Sequence, residues 1–332
     1  MATLGKTYMT LADEIKQRDG KGNIVSHVIE LLHQTNELLG DANVIECNDG
    51  TSHLHTIRTG LPTAVFRKFY GFVPPSKSEN AQVKDGTGML EAYSVVDKDL
   101  VEKSKDPQQL RLNEAAAFIE AMNDQMQTTF FYGNTSDDNA KFDGLAVRYG
   151  KKSALKSNIG SNIVDAGGSG SINSSVWFVT WGDLHTSLLF PENTAAGIKR
   201  EDDGVITETD ANGGKRKVYQ EHFKWDTGLA LADWRSTARV ANIDTTALLA
   251  GTVKIDDFML AAYYKIRKYS KTGRTVIYAN SDVLLALHKI AKSQANVHLS
   301  IGQFQGEEVV MFLGKVPIKE CEQILNTEGT VA

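Results

Sequence analysis

The sequence predicts an α+β fold, and three observations carry that prediction. A long one-faced helix runs from Pro107 to Phe131, glycine-interrupted β-branched and aromatic stretches precede it, and strands and helices share the rest of the chain. In the helix Leu112, Ala115, Ile119, Met122, Met126 and Phe130 recur at three- and four-residue steps. Asn113, Glu120, Asp124 and Gln127 fall on the other side. Asp106-Pro107 supplies an N-cap and a proline at the first helical position, and Gly133 supplies a stop. At 1.5 Å per residue the helix spans roughly 38 Å. It carries no residue of catalytic type.

Residues 1–50 read as an N-terminal arm. Thr10 to Arg18 predicts a short helix, and Ile24, Val28, Leu31, Leu32, Leu38 and Leu39 form an amphipathic stripe ended by Gly40. Residues 51–98 read as a long hairpin: "TSHLHTIRTGLPTAVFRKFYGF" and "QVKDGTGMLEAYSVVDKDL" flank the polar tip "VPPSKSEN". Its arms could reach roughly 50 Å at 3.3 Å per residue. Two-stranded hairpins are marginal alone in water, and the apolar residues here are too sparse for a private core. The hairpin is therefore expected to project and to lie on another surface. The long helix and a following turn, "KFDGLAVRYG", occupy 99–165.

Residues 166–243 begin with a flexible linker, "VDAGGSGSINSS", and continue as long strands. These are "VWFVTW" and "TSLLFP", a hairpin turning at Asn212-Gly213, and "GLALADWRSTARVANI" as one further strand. Residues 244–332 hold a helix from Ile255 to Tyr269 with Phe258, Met259, Ala262, Tyr263 and Ile266 on one face. A buried strand, "RTVIYAN", leads to a helix capped by Ser281 or Asn280, and "EVVMFL" and "VPIKEC" close the chain.

Composition excludes several classes. The 332 residues carry 36 Lys and Arg against 41 Asp and Glu, a net charge of −5. A protein that grips nucleic acid through phosphates shows a basic balance or stripe. The basic clusters at Arg148, Lys151, Lys152 and Lys156 and at Lys215, Arg216 and Lys217 are short and read as solvated loops. Cys47 and Cys321 are too few for a disulfide scaffold or zinc ribbon. The N-terminus lacks an apolar signal region, and no run approaches the ~20 apolar residues of a membrane span. A soluble chain made in cytoplasm is expected.

Chemistry-bearing patterns are incomplete. Gly5-Lys6-Thr7 lacks the first glycine of a phosphate loop, and "GGSGS" matches neither a dinucleotide fingerprint nor a nucleophile elbow. His53 and His55 share a strand face without a third ligand and read as solvent-facing. Glu30 and His33 lack a second copy of their di-iron spacing. Asp210, Asn212 and Glu221 fit a calcium loop only in part. Trp181 to His185 offers an Asp and a His without a nucleophile. No catalytic, cofactor or metal site is predicted.

The helical arm, long hairpin and one-faced helix resemble the tailed-bacteriophage major capsid proteins of the Hong Kong 97 type, and specifically the short-tailed phage subfamily. "RTGLPTAVFRKFYG", "SKSENAQV", "GMLEAYSVVD", "AFIEAMNDQMQTTFFYGNTS", "SVWFVTWGD", "FKWDTGLALADWRSTARVANID" and "LNTE" carry the likeness. The resemblance implies an N-arm, an E-loop (the hairpin), a spine helix within a P-domain, and an A-domain. It implies hexamers and pentamers of this chain in an icosahedral virion shell around double-stranded DNA, assembled in bacterial cytoplasm. Portal, scaffolding and decoration proteins become candidate partners, with DNA contacted weakly and no membrane or cofactor.

Assembly contacts are expected from Arg58, Arg67, Lys68, Phe69, Tyr70, Lys77 and Lys84 on the hairpin, and from Glu114, Glu120 and Asp124 on the helix. Some members of the family join Lys to Asn between subunits. Lys77, Lys84 and Lys98 are read instead as edge protection, so no cross-link is expected. The family places the A-domain segments before the long P-domain strands. Here the long strands come first, which suggests a permuted order: Val176 to Ile243 in the P-domain sheet and Ile255 to Ser293 in the A-domain. The alternatives are an encapsulin-like shell, a monomeric binding module, or an enzyme whose His and Asp residues converge in a pocket.

Overall fold

The structure, a computed structural model, describes residues 37–209, 213–292, 298–304 and 307–332. The helix predicted at Thr10 to Arg18, most of the Ile24 to Leu39 stripe, the Glu30/His33 pair, and Asp210 and Asn212 lie outside the described residues.

In chain order the first elements are α1 (Glu37–Asp41), β1 (Val44–Glu46), β2 (Ser52–Gly60), β3 (Glu79–Asp97), α2 (Lys98–Lys103) and α3 (Pro107–Tyr132). Then come α4 (Leu145–Arg148), β4 (Ile163–Asp165), β5 (Asn173–Trp181), β6 (Thr186–Phe190), β7 (Lys199–Thr209) and β8 (Lys215–Leu231). The last are β9 (Ala238–Asp244), α5 (Thr245–Leu249), α6 (Ile255–Ile266), β10 (Arg274–Ala279), α7 (Ser281–Ala291), β11 (Leu299–Phe304), β12 (Glu307–Phe312) and β13 (Val316–Glu320). Among the described residues, one compact unit comprises 89–126 and 196–226. The other comprises 36–88, 127–195 and 227–332. The long elements β3, α3 and β8 contribute residues to both.

In the larger unit the strands run β11-β12-β13-β10-β5-β6-β8, with β1 on β6, β9 on β5 and β4 on β9. All nine residues of β5 are buried, because β9 and β10 flank it antiparallel and both its faces are covered. Successive strand side chains point to opposite faces. Val176 and Phe178 join a core with Ile255, Met259, Ala262 and Ile266 of α6 and Val283, Ala286 and Leu287 of α7. On the other side Trp177 and Trp181 meet the last turn of α3, with ring centroids of Phe131–Trp177 6.0 Å and Phe130–Trp181 5.5 Å apart. The result is three layers, helices on both faces of one sheet.

This arrangement corrects the predicted lobes. β5 and β9 share their core with α6 and α7, so Val176 to Ile243 and Ile255 to Ser293 are not separate bodies. Only 196–226 of the first block joins the other unit. Nor is 228–243 one strand. β8 ends at Leu231, and Asp233 accepts from Arg235 N at 3.0 Å to start a 3-10 turn, Trp234–Ser236. The "GGSGS" connection is tied down: Gly168 N donates to Asn242 O at 2.8 Å and Asn173 Nδ2 to Gly170 O at 2.8 Å. For α7 the cap is Asn280, whose Oδ1 accepts from Asp282 N at 3.1 Å.

α3 follows its predicted bounds closely. Asp106 Oδ1 accepts from Gln109 N at 3.1 Å, satisfying a first-turn donor. Gly133 ends the helix by close approach: a Cβ there would lie 2.3 Å from Phe142 O. Two predicted positions differ. Leu112 is 48% exposed, while Leu110, about 140° around the helix from Ala115 at 3.6 residues per turn, is buried with Val96, Leu100 and Val101. Gln127, placed on the polar side, is buried, and its Oε1 accepts from Cys321 Sγ at 3.1 Å. The helix therefore changes its buried face along its length.

In the smaller unit β7 and β8 pair antiparallel out to Thr209↔Lys215, as the hairpin reading requires. Phe118 of α3 stacks on Phe223 at 6.3 Å. Glu221 is buried between two guanidinium groups, with Arg111 and Arg200 each at 2.7 Å. Those contacts make it structural and remove it from any calcium loop.

Candidate assembly site

The hairpin is rooted in the larger unit by Asp85. β2 and β3 pair antiparallel from Ser52↔Gly86 to Gly60↔Glu79. At the root, the end away from the connecting loop, Asp85 is buried and accepts from Leu231 N at 3.1 Å, with Arg148 Nη1 2.8 Å from its other oxygen. Arg148 Nη2 also donates to Leu229 O at 3.1 Å, so one guanidinium ties the hairpin to β8. The strands approach closely here. A Cβ on Gly228 would come within 2.6 Å of Gly86 O.

His55 stands 3.7 Å from Asp85 with only 11% of its side chain exposed, so it is not solvent-facing as predicted. Burial pushes its imidazole below the usual range, against the pull of Asp85. His53 lies beside it, with ring centroids 6.3 Å apart. Among the described residues no group of three or more His, Cys, Asp or Glu could hold a metal ion.

Beyond the paired strands residues 61–78 carry no regular structure, and all but the partly covered Gly71 are exposed. Ser76 Oγ donates to Thr63 O at 3.1 Å, and Gly71 N to Lys68 O at 3.0 Å closes a turn. Tyr70 sits in that turn at φ 65°, a left-handed conformation costing an L-residue roughly 1–2 kcal/mol. Phe66, Phe69, Tyr70 and Phe72 are 108%, 95%, 100% and 98% exposed. Apolar surface gathered in this way marks an interaction site.

Of the predicted contact residues, Arg58, Arg67, Lys68, Phe69, Tyr70 and Lys77 are all exposed on the hairpin. Lys84 is exposed too, but its Nζ lies 2.7 Å from Asp49 of its own chain. Glu114, Glu120 and Asp124 are half-buried and already engaged within the chain. The hairpin cations and the helix acids thus differ in how ready they are for a partner. Trp181 to His185 holds no reactive pair: Asp183 accepts from Asn43 at 2.7 Å, and His185 Nε2 is 2.8 Å from Thr272 Oγ1.

A family profile described as "Major capsid protein GP7" matches residues 19–332. The chain belongs to the GP7 family of major capsid proteins. The solved structure of bacteriophage Epsilon15 contains a similar chain, 34% identical, with a TM-score of 0.76 over 100% of this chain and 99% of that one. A chain of the bacteriophage JBD30 capsid shares the fold, with a TM-score of 0.52 over 90% of this chain and 94% of that one, at 10% identity. No curated protein sequence matches. The fold is of the Hong Kong 97 type, and a major capsid protein assembles with copies of itself into the virion shell. No helix among the described residues is long and apolar enough to cross a membrane.

The family motifs acquire physical roles. Glu328 of "LNTE" accepts from Arg239 Nη2 at 2.9 Å, from Tyr132 OH at 2.5 Å and from Ser175 Oγ. Arg239, of the "TARVANID" stretch, also donates to Tyr149 O at 2.9 Å and lies 4.9 Å over the Trp177 ring. These contacts fasten the C-terminal segment of the capsid protein to its central sheet. A second buried carboxylate fastens the end of the arm: Asp41 accepts from Tyr278 OH at 3.0 Å, Lys319 Nζ at 3.1 Å and Arg274.

Sequence reasoning passed over Phe66 and Phe72 on the tip and Asp85 at its root. It read Arg148 as part of a solvated basic loop, whereas its guanidinium is largely covered and paired with Asp85. The aromatics were within reach, since four rings in seven residues between Pro62 and Pro74 cannot alternate into a core. Asp85 carried no local signal, and nothing local marked Arg148 as its partner.

Proposed function

We propose that the tip of one capsid protein, Phe66, Phe69, Tyr70 and Phe72 with Arg67 and Lys68, seats on a second copy. The exposure of those four rings is the observation that carries this reading. At 150–250 Å² each they offer roughly 600–1,000 Å² of burial, the scale of one partner's share of a specific interface.

Charge supports the choice of partner surface. From Thr51 to Ser78 there are four Lys and Arg and no acidic residue, whereas 89–126, which includes most of the long helix, carries eight acidic residues against four basic. The tip is proposed to meet that acidic surface, with Glu114, Glu120 and Asp124 as candidate contacts. Lateral association of this kind sums many modest contacts and needs no reactive residue.

By family resemblance the assembly consists of hexamers and pentamers in an icosahedral shell around double-stranded DNA, with portal and scaffolding proteins as partners. In that frame 51–98 serves as the E-loop, 99–126 with 196–226 as the P-domain carrying most of the spine helix 107–132, and the remainder of the three-layered unit as the A-domain. Size-exclusion chromatography and negative-stain microscopy of the purified protein test the assembly. Capsomers or shells are expected, and a stable monomer at micromolar concentration would oppose it.

A further inference from the structure

Away from the hairpin, the cleft between the end of α6, the loop into β10 and the start of β13 has a one-sided charge. It has a volume of about 530 Å³ and is lined by Arg267, Lys271, Arg274 and Lys315, the hydroxyls of Ser270 and Thr275, and no carboxylate. The flanking sequence explains this. From Phe258 to Ser281 there are five Lys and Arg and no acidic residue, in a chain whose net charge is −5.

Two of the five cations are committed internally. Arg274 pairs with the buried Asp41, and Lys265 Nζ donates to Ile163 O at 3.2 Å and to Ser161 O. Among the described residues Arg267, Lys271 and Lys315 have no carboxylate partner. Three unneutralised cations converging on one concavity form an acceptor for anions.

We propose that this cleft receives a carboxylate-bearing segment of a second copy, as an assembly contact separate from the hairpin tip. Two observations favour protein carboxylates over nucleic acid. Single-strand binding stacks bases on free aromatic faces. Here Tyr263, which lines the cleft, packs edge-on against Tyr264 and Phe312, and cations of this chain sit over the faces of Tyr264 (61% exposed) and Tyr269. Arg267 lies 5.5 Å over Tyr264, and Arg235 and Lys268 lie 4.5 and 5.7 Å from Tyr269. In addition, copies of an acidic chain packed in one shell repel unless basic patches meet acidic ones. The proposal rests on self-assembly but not on the role of the tip.

The test compares wild type with R267E/K271E/K315E and with R267Q/K271Q/K315Q, by chromatography and negative-stain microscopy at 0.15 M salt. Thermal melting and binding of random-sequence duplex DNA are measured on the same samples. The expected result is assembly reduced at least tenfold by reversal and less by neutralisation, with melting and DNA binding unchanged in the neutral variant. Assembly of the neutral variant at the wild-type level overturns the proposal, even if the reversed variant does not fold. Normal assembly with weakened DNA binding also overturns it and assigns the cleft to phosphates. If the cleft variants assemble while tip variants fail, this contact alone is lost and the tip reading stands.

Discussion

In "VWFVTW" (Val176 to Trp181) every residue is between 0% and 3% exposed, whereas in "FRKFYGF" (Phe66 to Phe72) the four aromatics are between 95% and 108% exposed. Both stretches are rich in rings, so hydrophobicity alone does not decide their fate. The first is flanked by β9 and β10 and covered on both faces by helices. The second has no strand partner, a turn at Gly71 and prolines on either side. One set of rings stabilises the subunit, and the other stays exposed and is the proposed contact with a second copy. Changes in the first region should therefore act on folding, and changes in the second on assembly.

The largest effect on the subunit is expected from Glu328→Ala. It leaves Arg239 buried without its carboxylate, and breaking a buried pair in this way costs about 3–5 kcal/mol. Urea unfolding of the unassembled subunit measures it, and a loss under 1 kcal/mol would show that the tail is not fastened there. Next comes Asp85→Ala at the hairpin root. Losing a buried acceptor of a backbone N–H and an arginine should cost about 1–3 kcal/mol. Hydrogen exchange should rise in β2 and in β3 near Gly86 and stay unchanged in β5. Faster exchange in both would mean that root and core are one cooperative unit.

A smaller effect is expected from pH. His55 is buried beside Asp85, Arg148 and His53, and its folded-state pKa is lowered. Between that value and the unfolded value of about 6.5 the unfolded chain binds more protons. This contribution is thus complete above about pH 6.5 and is lost as the pH falls through the folded value. Unfolding midpoints at pH 7.5 and 5.5 should differ more in wild type than in His55→Gln. Equal differences would show that another group, such as the similarly shifted His185, carries the dependence.

No effect is expected from lysine chemistry. Lys84 is paired with Asp49 and Lys98 with Glu102, and Lys77, expected to protect a strand edge, is an exposed charge on the irregular tip before β3 begins at Glu79. Assembled particles boiled in detergent and reductant should run as single chains, and a ladder of multimers would contradict that.

What could be read beforehand follows from how each feature is encoded. Asp106-Pro107, a three-four period and Gly133 are local signals, and α3 has those bounds. The antiparallel pairing of β2 with β3 and of β7 with β8 was readable from turn chemistry. Its failures share a cause. Leu110 is buried because the hydrophobic cluster with Val96 meets the helix on another side, a fact of packing that no helical period contains. Arg239 and Glu328 are 89 residues apart, and Tyr132 and Glu328 are 196. Isolated charges at such separations show no pattern until the chain is folded. The tip lay between these cases: its charges were singled out, while Phe66 and Phe72 were absorbed into an expected strand alternation that the prolines and Gly71 prevent.

The comparison between the two aromatic stretches is tested most directly by Phe69→Ser/Phe72→Ser, with subunit stability and assembly measured on the same preparation. Exposed positions away from special features change stability by no more than about 0.5 kcal/mol. The account predicts an unfolding midpoint within that margin of wild type, together with loss of capsomers and shells by negative stain. Shells forming at the wild-type yield would contradict it, as would a destabilised subunit.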